Sequence, residues 1–428
     1  CQLLLFLQVF LTAQAGDRMA IAVAFSGIAL LAWTLYWIYR LAHRTAYELE
    51  SLVFLLISVG TAVTAAYDPG SLYKQLITVV IGMALFLLMS GVLRGLGLSI
   101  RARWPVAIAA AGLLAFNVVL GERIFGAKNW ISVGPLSFQP SELVKIAFIL
   151  AGAATLDRLF AKRNLIFTIL FSAYCVGCLA LMSDFGTALI FFVAFLCIAF
   201  LRTGDLPSIA MLVAAAAFGC GIILRFKPYI ADRFAAWMHV WDYAQDMGYQ
   251  QTRTMSAMAS GGLFGAGPDK GWLKYVGAAN TDLVFGVVGE EFGFLLALCC
   301  VTALLIPIVY ALRCAATARS SFYTILSCAT AAMLVCQTAL NVLGAVDLLP
   351  LTGVTFPFVS MGGSSMISCW GLMAYLKAAD TRQNASFALR LSKLAPEKKP
   401  RAKKKQEGFF ADRPDIPVDE IFRKEDHQ

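Results

Sequence analysis

The chain reads as an all-α polytopic membrane protein on three observations. Of its 428 residues, 59% are hydrophobic and only 14% charged, with a mean hydropathy of +0.73. Soluble domains carry about a quarter charged residues. Apolar runs of about 17–25 residues recur between short polar joints, which is the length a helix needs to cross a bilayer. The runs are continuous, whereas the strands of an outer-membrane barrel alternate apolar and polar residues.

Taken in order, the runs predict about a dozen spans. They are 1–14, 18–39, 51–67, 74–92, 105–120, 141–156, 164–182, 186–201, 207–224, 284–312, 322–344 and 363–378. The opening, Cys1 followed by Leu3-Leu4-Leu5-Phe6-Leu7, reads more simply as a start inside a first helix than as a lipoprotein cysteine. No cleavable signal peptide is evident. Basic residues fix the orientation, because cytoplasmic joints are enriched in Lys and Arg. Arg40 and Arg44 follow the second span, and Arg94, Arg101 and Arg103 separate the fourth from the fifth. Arg158, Lys162 and Arg163 follow the sixth, Arg202 the eighth, and Arg313 and Arg319 the tenth. Alternating spans put all of these joints on one side, with the basic tail, and that side is predicted to be cytoplasmic.

The stretch 225–281 has no full span but holds Trp237, Trp241, Tyr243, Tyr249 and Trp272 among charges. A loop of that length is too long for an idle connection, and interfacial or re-entrant helices are expected in it. From 379 to 428 the chain is polar and mixed in charge, and it includes Lys398-Lys399-Pro400-Arg401-Ala402-Lys403-Lys404-Lys405. This predicts a flexible, solvated cytoplasmic tail in preference to a lipid-binding one. The formal charge of +9 resides largely in that tail and the cytoplasmic joints, so it points to no nucleic-acid partner. The 11 cysteines lie almost entirely in apolar runs, as in Cys175-Val176-Gly177-Cys178 and Cys299-Cys300. There they read as small apolar side chains rather than redox or zinc ligands. His43, His239 and His427 are too few and too scattered for a histidine-built metal site.

The predicted outer side holds Gly121 to Gln139, the turn Ser183-Asp184, Arg225 to Thr281, and Val346 to Gly363. Four strings with chemical potential gather there. One runs Asn129-Trp130-Ile131-Ser132 through Gln139-Pro140-Ser141-Glu142-Leu143-Val144-Lys145, and another is Asp184-Phe185-Gly186-Thr187. A third runs from Gly248-Tyr249-Gln250 through Ser260-Gly261-Gly262-Leu263-Phe264-Gly265 to Thr281-Asp282 and Gly289-Glu290-Glu291-Phe292-Gly293. The last is Leu349-Pro350-Leu351-Thr352-Gly353-Val354-Thr355-Phe356-Pro357-Phe358-Val359-Ser360-Met361-Gly362-Gly363-Ser364-Ser365.

In that order, over roughly residues 51–378, these strings closely resemble the SEDS family of shape, elongation, division and sporulation proteins. The resemblance implies a ten-helix core, leaving about two extra transmembrane helices in 1–50. It also implies a peptidoglycan glycosyltransferase that polymerises lipid II, the undecaprenyl-pyrophosphate disaccharide-pentapeptide, on the outer face of the bacterial cytoplasmic membrane. A class B penicillin-binding protein, which crosslinks the strand, is the implied partner. Asp282 matches the family's essential aspartate and Trp130 its outer-loop tryptophan. The chain departs from the family where Asn280-Thr281-Asp282 replaces His-Thr-Asp, Met182-Ser183-Asp184 replaces Gln-Pro-Asp, and Ser360-Met361-Gly362-Gly363 replaces Ser-Tyr-Gly-Gly. The acids are retained and the histidine is lost.

A β-1,4 link made from an α-linked pyrophosphate donor inverts the anomeric centre, so one displacement with a general base suffices. Asp282 at an apolar helix start suits that base, because desolvation raises a carboxyl pKa toward the working range. The leaving pyrophosphate needs cationic help. Lys128, Arg123, Lys145, Arg233, Arg253, Lys270 and Lys274 are the outer-side candidates, with a divalent cation (Mg2+ or Mn2+) as the other source; the sequence assigns no metal ligand. Each group also has a plainer reading. Asp282 suits an N-cap, and Glu142 and Lys145, three apart on a helix, suit an internal pair. Trp130 either stacks on sugar or anchors its loop at the interface. Glu290 and Glu291 lie about 12 Å deeper than Asp282 along a continuous helix, a depth that demands a polar cavity or partners and suits one acid to orienting the site and the other to a structural pair. Asp184 reads as a cap, and Gly362-Gly363-Ser364-Ser365 as a tight turn with Ser364 and Ser365 as weaker phosphate contacts. A lipid II flippase and a non-catalytic scaffold stay open as rival functions, although acids and bases at the outer ends favour chemistry over midplane transport.

Overall fold

The structure is a computed structural model. It describes residues 1–380 apart from 43, 45, 125–126, 134–135, 157–161, 227–232 and 319. His43, Arg158, Arg319 and the tail with its basic run and His427 therefore lie outside the described residues.

Helices dominate, as the apolar runs require. The N-terminal ones are α1 (Gln2–Thr12), α2 (Arg18–Leu41), α3 (Glu48–Tyr67), α4 (Leu72–Val92), α5 (Leu96–Arg101) and α6 (Arg103–Leu120). After a small sheet come α7 (Pro140–Leu156), α8 (Lys162–Leu181), α9 (Phe185–Thr203) and α10 (Leu206–Phe226). The long outer segment carries α11 (Tyr249–Gly261) and α12 (Val284–Val287), and α13 (Phe294–Thr317), α14 (Ser321–Ala345) and α15 (Gly363–Ala379) complete the bundle. Among the described residues, eight helical stretches are long and apolar enough to cross a membrane, fewer than the dozen runs in the sequence. Helices α7 and α15, each 17 residues long, are shorter. Both also carry buried polar side chains, Ser141, Glu142 and Lys145 on α7 and Ser365, Ser368 and Lys377 on α15.

Those polar residues mark the centre of the bundle. Helix α15 lies against α4, α14 and α7, and α14 lies against α9 and α13. Trp370 of α15 is fully buried, edge-on to Phe54 and Phe358 and tilted against Phe86. Gly82 of α4 is required there, since a Cβ would fall 2.5 Å from the Trp370 ring. On the predicted cytoplasmic side, Lys377 near the end of α15 pairs with Glu50 at 2.8 Å, and Glu50 accepts a hydrogen bond from Tyr39 of α2 at 2.7 Å. Both charges are almost completely buried.

Two features depart from the sequence reading. The segment 121–139 is a three-stranded antiparallel sheet, β1 (Glu122–Ile124), β2 (Ala127–Val133) and β3 (Leu136–Phe138), pairing Glu122 with Trp130 and Ser132 with Ser137. The span expected over 284–312 is broken. α12 passes into a π-helical turn, Val288–Phe292, that ends at Gly293 with φ +93°, and the spanning helix starts only at Phe294. Glycine is required at the break, because a Cβ on Gly293 would come within 2.4 Å of the Leu263 carbonyl oxygen.

Candidate active site

The four sequence strings meet through backbone and side-chain hydrogen bonds on one side of the bundle. Asp184 caps α9 by accepting from the Thr187 N–H at 3.1 Å. Its other oxygen accepts from Asn129 of β2 at 2.7 Å and from Gln139 at 3.0 Å. This one carboxylate therefore staples the sheet to the bundle. Gly186, a residue further into α9, lets the last outer loop pass, since a Cβ there would sit 2.5 Å from Val354 and 2.9 Å from Thr352.

That loop cradles Asp282. Asn341 of α14 donates to the carbonyl oxygens of Asp282 at 2.9 Å and Val354 at 2.7 Å. Ser360 donates to the Thr281 carbonyl at 2.6 Å, and the Met361 N–H donates to the Asn280 carbonyl at 2.9 Å. Gly353, at φ +72°, faces the Asp282 carboxylate so closely that a Cβ would lie 3.2 Å from its Oδ2. The half-buried Asp282 makes no cap: α12 begins at Val284 with Leu283 before it and no side-chain cap bond. Desolvation pushes its carboxyl up to about 6, against the pull of the Thr281 hydroxyl and the Arg233 guanidinium, while the Asp184 charge pushes the same way as burial. Arg233 is fixed by a 2.7 Å bond to the Leu351 carbonyl and lines a pocket of about 290 Å³ with Asp246, Tyr249, Gln250 and Leu351. A half-buried carboxyl of raised pKa within electrostatic reach of an oriented guanidinium is equipped to take a proton near an anion.

Several expected substrate contacts are instead engaged within the protein. Lys128 donates to the Val118 and Val119 carbonyls at 2.9 and 3.0 Å, closing the C-terminus of α6. Lys145, with no exposed surface, donates to Glu142 at 2.7 Å and to Gln337 at 2.9 Å. Glu142 also accepts from Ser368 at 2.8 Å. Gln337 continues the chain to Thr355 at 3.0 Å, and Thr355 shares a 2.8 Å bond with Ser365. Ser364 accepts from the Gln139 N–H at 3.1 Å. Lys274 pairs with Asp269, and Arg253 lies over the Tyr249 ring at 5.2 Å. Lys270 and Arg123 are exposed, and Trp130 is half-buried on β2. Glu290 accepts from the Trp272 and Leu273 N–H groups at 2.8 and 3.0 Å, so its partners are loop backbone. Glu291 is buried with Oε2 unpaired, and desolvation, reinforced by the Glu290 charge and opposed by a backbone hydrogen bond from Asp269 and by the Lys274 charge, pushes it up to about 7. Among the described residues no group of three or more His, Cys, Asp and Glu side chains is arranged to hold a metal ion.

Asn341 and Gln337 were missed in the sequence reading. Their signal was there: two amides four residues apart, on one face of a largely apolar helix.

Fold and site together define a polytopic helical membrane protein with an acid-centred site built by loops at one end of its bundle. A family model described as cell cycle protein, FtsW/RodA/SpoVE, matches residues 25–385, and the chain belongs to that family, also called SEDS. It is similar to the probable peptidoglycan glycosyltransferase FtsW of Tolumonas auensis, 33% identical over 284 residues, which cover 64% of this chain and 74% of the relative. It also resembles the peptidoglycan glycosyltransferase RodA of Mycobacterium leprae, 28% identical over 385 residues, 82% of each chain. A solved structure described as structural coordination of polymerization and crosslinking by a peptidoglycan synthase complex aligns with TM-score 0.65 at 27% identity, over 78% of this chain and 96% of that one. The Thermus thermophilus rod shape determining protein RodA shares the fold, with TM-score 0.60 at 24% identity over 79% and 97% of the two chains.

Proposed function

We propose that this chain is a peptidoglycan glycosyltransferase that polymerises lipid II into β-1,4 glycan strands, with Asp282 as the general base of an inverting displacement. Family membership and the relatives' names support the activity. The observation that carries the assignment of the base is the placing of Asp282, with the last outer loop bonded to the carbonyls of Asn280 and Thr281 before it, Asn341 of α14 bonded to its own carbonyl, and a carboxyl raised to about 6. Arg233, within electrostatic reach of Asp282, is the cation we assign to the leaving pyrophosphate. Lys270 is exposed on the loop beyond α11 and is the second cationic candidate.

The site faces outward, as the basic joints require, and the tail is cytoplasmic. The core comprises α3, α4, α6 to α10 and α13 to α15, over roughly residues 51–378, leaving α1 and α2 outside it. A class B penicillin-binding transpeptidase is the partner we assign, in keeping with the crosslinking named for the similar synthase complex.

The test is polymerisation of labelled lipid II by the purified chain, with and without the cognate transpeptidase and with Mg2+ or Mn2+. Asp282→Asn is expected to lose about 10²- to 10⁴-fold in rate, the usual contribution of a general base, while eluting as a folded monodisperse protein. Strands from both proteins would remove Asp282 from the chemistry. No strands from wild type under any of these conditions would turn the assignment toward the flippase or scaffold reading.

A further inference from the structure

Glu290 and Asp282 are joined by geometry that the proposed chemistry does not by itself require. Glu290 is 1% exposed, and both of its carboxylate oxygens are spent on consecutive backbone N–H groups, those of Trp272 and Leu273. The contact spans 18 residues of sequence, and Asp282 lies midway between its two ends. The chain inside that loop is a run of tight turns. Val276 N–H bonds to the Leu273 carbonyl, Ala279 to Val276, and Asp282 and Leu283 to Ala278. Little slack therefore separates the point that Glu290 holds from the carboxylate that acts.

The surroundings are fitted to this contact. A Cβ on Gly271 would fall 2.7 Å from Glu290 Oε2 and 2.9 Å from Glu291 Oε1, so glycine is needed there. The backbone carbonyls of Glu290 and Glu291 accept from Ala266 at 2.8 Å and Gly267 at 3.0 Å. Leu273, fully buried, approaches Gly286 of α12, where a Cβ would meet it at 2.9 Å. Two successive N–H groups offered to one carboxylate form a charge-assisted bidentate contact, the strong and directional kind. It needs an acceptor at both oxygens, which an amide cannot supply.

We propose that Glu290 is a positioning residue for Asp282: its carboxylate closes the base of the loop that carries the general base and sets that base's place against the acceptor hydroxyl. Glu290 itself touches no substrate. The proposal rests on the reading of Asp282 as the base, and its test has an arm that does not.

The first arm is hydrogen–deuterium exchange of the wild-type protein and Glu290→Gln in detergent or nanodiscs. The amides of Trp272 and Leu273 are expected to exchange at least tenfold faster in the variant, while α14 is unchanged. Equal protection in both proteins would overturn the clasp whether or not the chain polymerises lipid II. The second arm is steady-state kinetics on lipid II. Glu290→Gln is expected to lower kcat by tenfold or more with KM within about twofold, because a displaced base weakens the chemical step and not ground-state binding. A rise in KM at unchanged kcat would make Glu290 a substrate-binding group and overturn the positioning role. So would wild-type kinetics.

Gly271→Ala perturbs the contact from the opposite partner, and the same kcat-selective loss is expected. An inactive wild type with a protected, Glu290-dependent turn would remove the glycosyltransferase reading and leave the clasp standing.

Discussion

At the scale of single residues, burial decides what the acids do. Asp282 and Glu291 are both pushed upward chiefly by desolvation, to about 6 and about 7. A general base must be ionised, so the polymerisation rate is expected to fall as pH drops through about 6, approaching tenfold per unit below it. A pH–rate profile with no inflection between 5 and 7 would count against Asp282. For Glu291 the consequence is stability. Between its ordinary 4.5 and about 7 the folded chain keeps a proton that the unfolded chain has lost. Stability from this group therefore declines as pH rises through that window. Glu291→Gln removes a buried charge with one unpaired oxygen, and it is expected to raise the thermal midpoint at pH 8, by the equivalent of about 1–3 kcal/mol, and to leave it unchanged at pH 4.5. The sequence located both acids, but their environments depend on Gly271, Gly353 and the returning loop, which are distant in the chain.

At the scale of elements, polar side chains on apolar helices hold the site to the bundle. Ser368, Glu142, Lys145, Gln337, Thr355 and Ser365 form a connected path from α15 and α7 through α14 to the outer loop. Spacing predicted the Glu142–Lys145 pair, since residues three apart share a helix face. Nothing local identified Gln337 as the third partner. Removing one partner of a buried ion pair leaves an uncompensated charge. Lys145→Met is thus expected to cost about 3–5 kcal/mol, read as a lower midpoint of thermal unfolding in detergent. Adding Glu142→Gln should restore most of it. Were the double variant as unstable as the single, the lysine would be acting through packing alone. The break at Gly293 belongs to the same scale. Hydropathy runs straight from 284 to 312, yet backbone contact with the turn at Leu263 and Phe264 separates the first nine residues from the span.

At the scale of the whole molecule, the charge asymmetry of the joints carries a topological prediction. Cysteine placed at Lys270, in a chain with Cys1 and Cys299 replaced, is expected to react with an impermeant maleimide in intact spheroplasts. Cysteine at Arg101 is expected to react only after the membrane is opened. Both positions are exposed, so accessibility is set by the side of the membrane alone. The reverse pattern would invert the protein and remove the outward site. The buried Glu50–Lys377 pair, with Tyr39 beside it, ties α2 and α3 to the end of α15 at the other face.

The sequence by itself determined the class of the protein, most of its apolar helices to within a few residues, the expected sidedness, and the identity of the motif acids, but not the break at Gly293. These follow from apolar run length, joint charge and local strings, all of which are short-range properties. Only the tertiary structure decided which partners each carboxylate meets. Asp184 is consumed by Asn129, Gln139 and Thr187, Glu142 by Lys145 and Ser368, and Glu290 by backbone, while the Asp282 carboxylate lies within electrostatic reach of Arg233. The physical reason is that a buried polar group takes whichever partner the packing brings within about 3 Å, and here those partners come from helices and loops far apart in the chain.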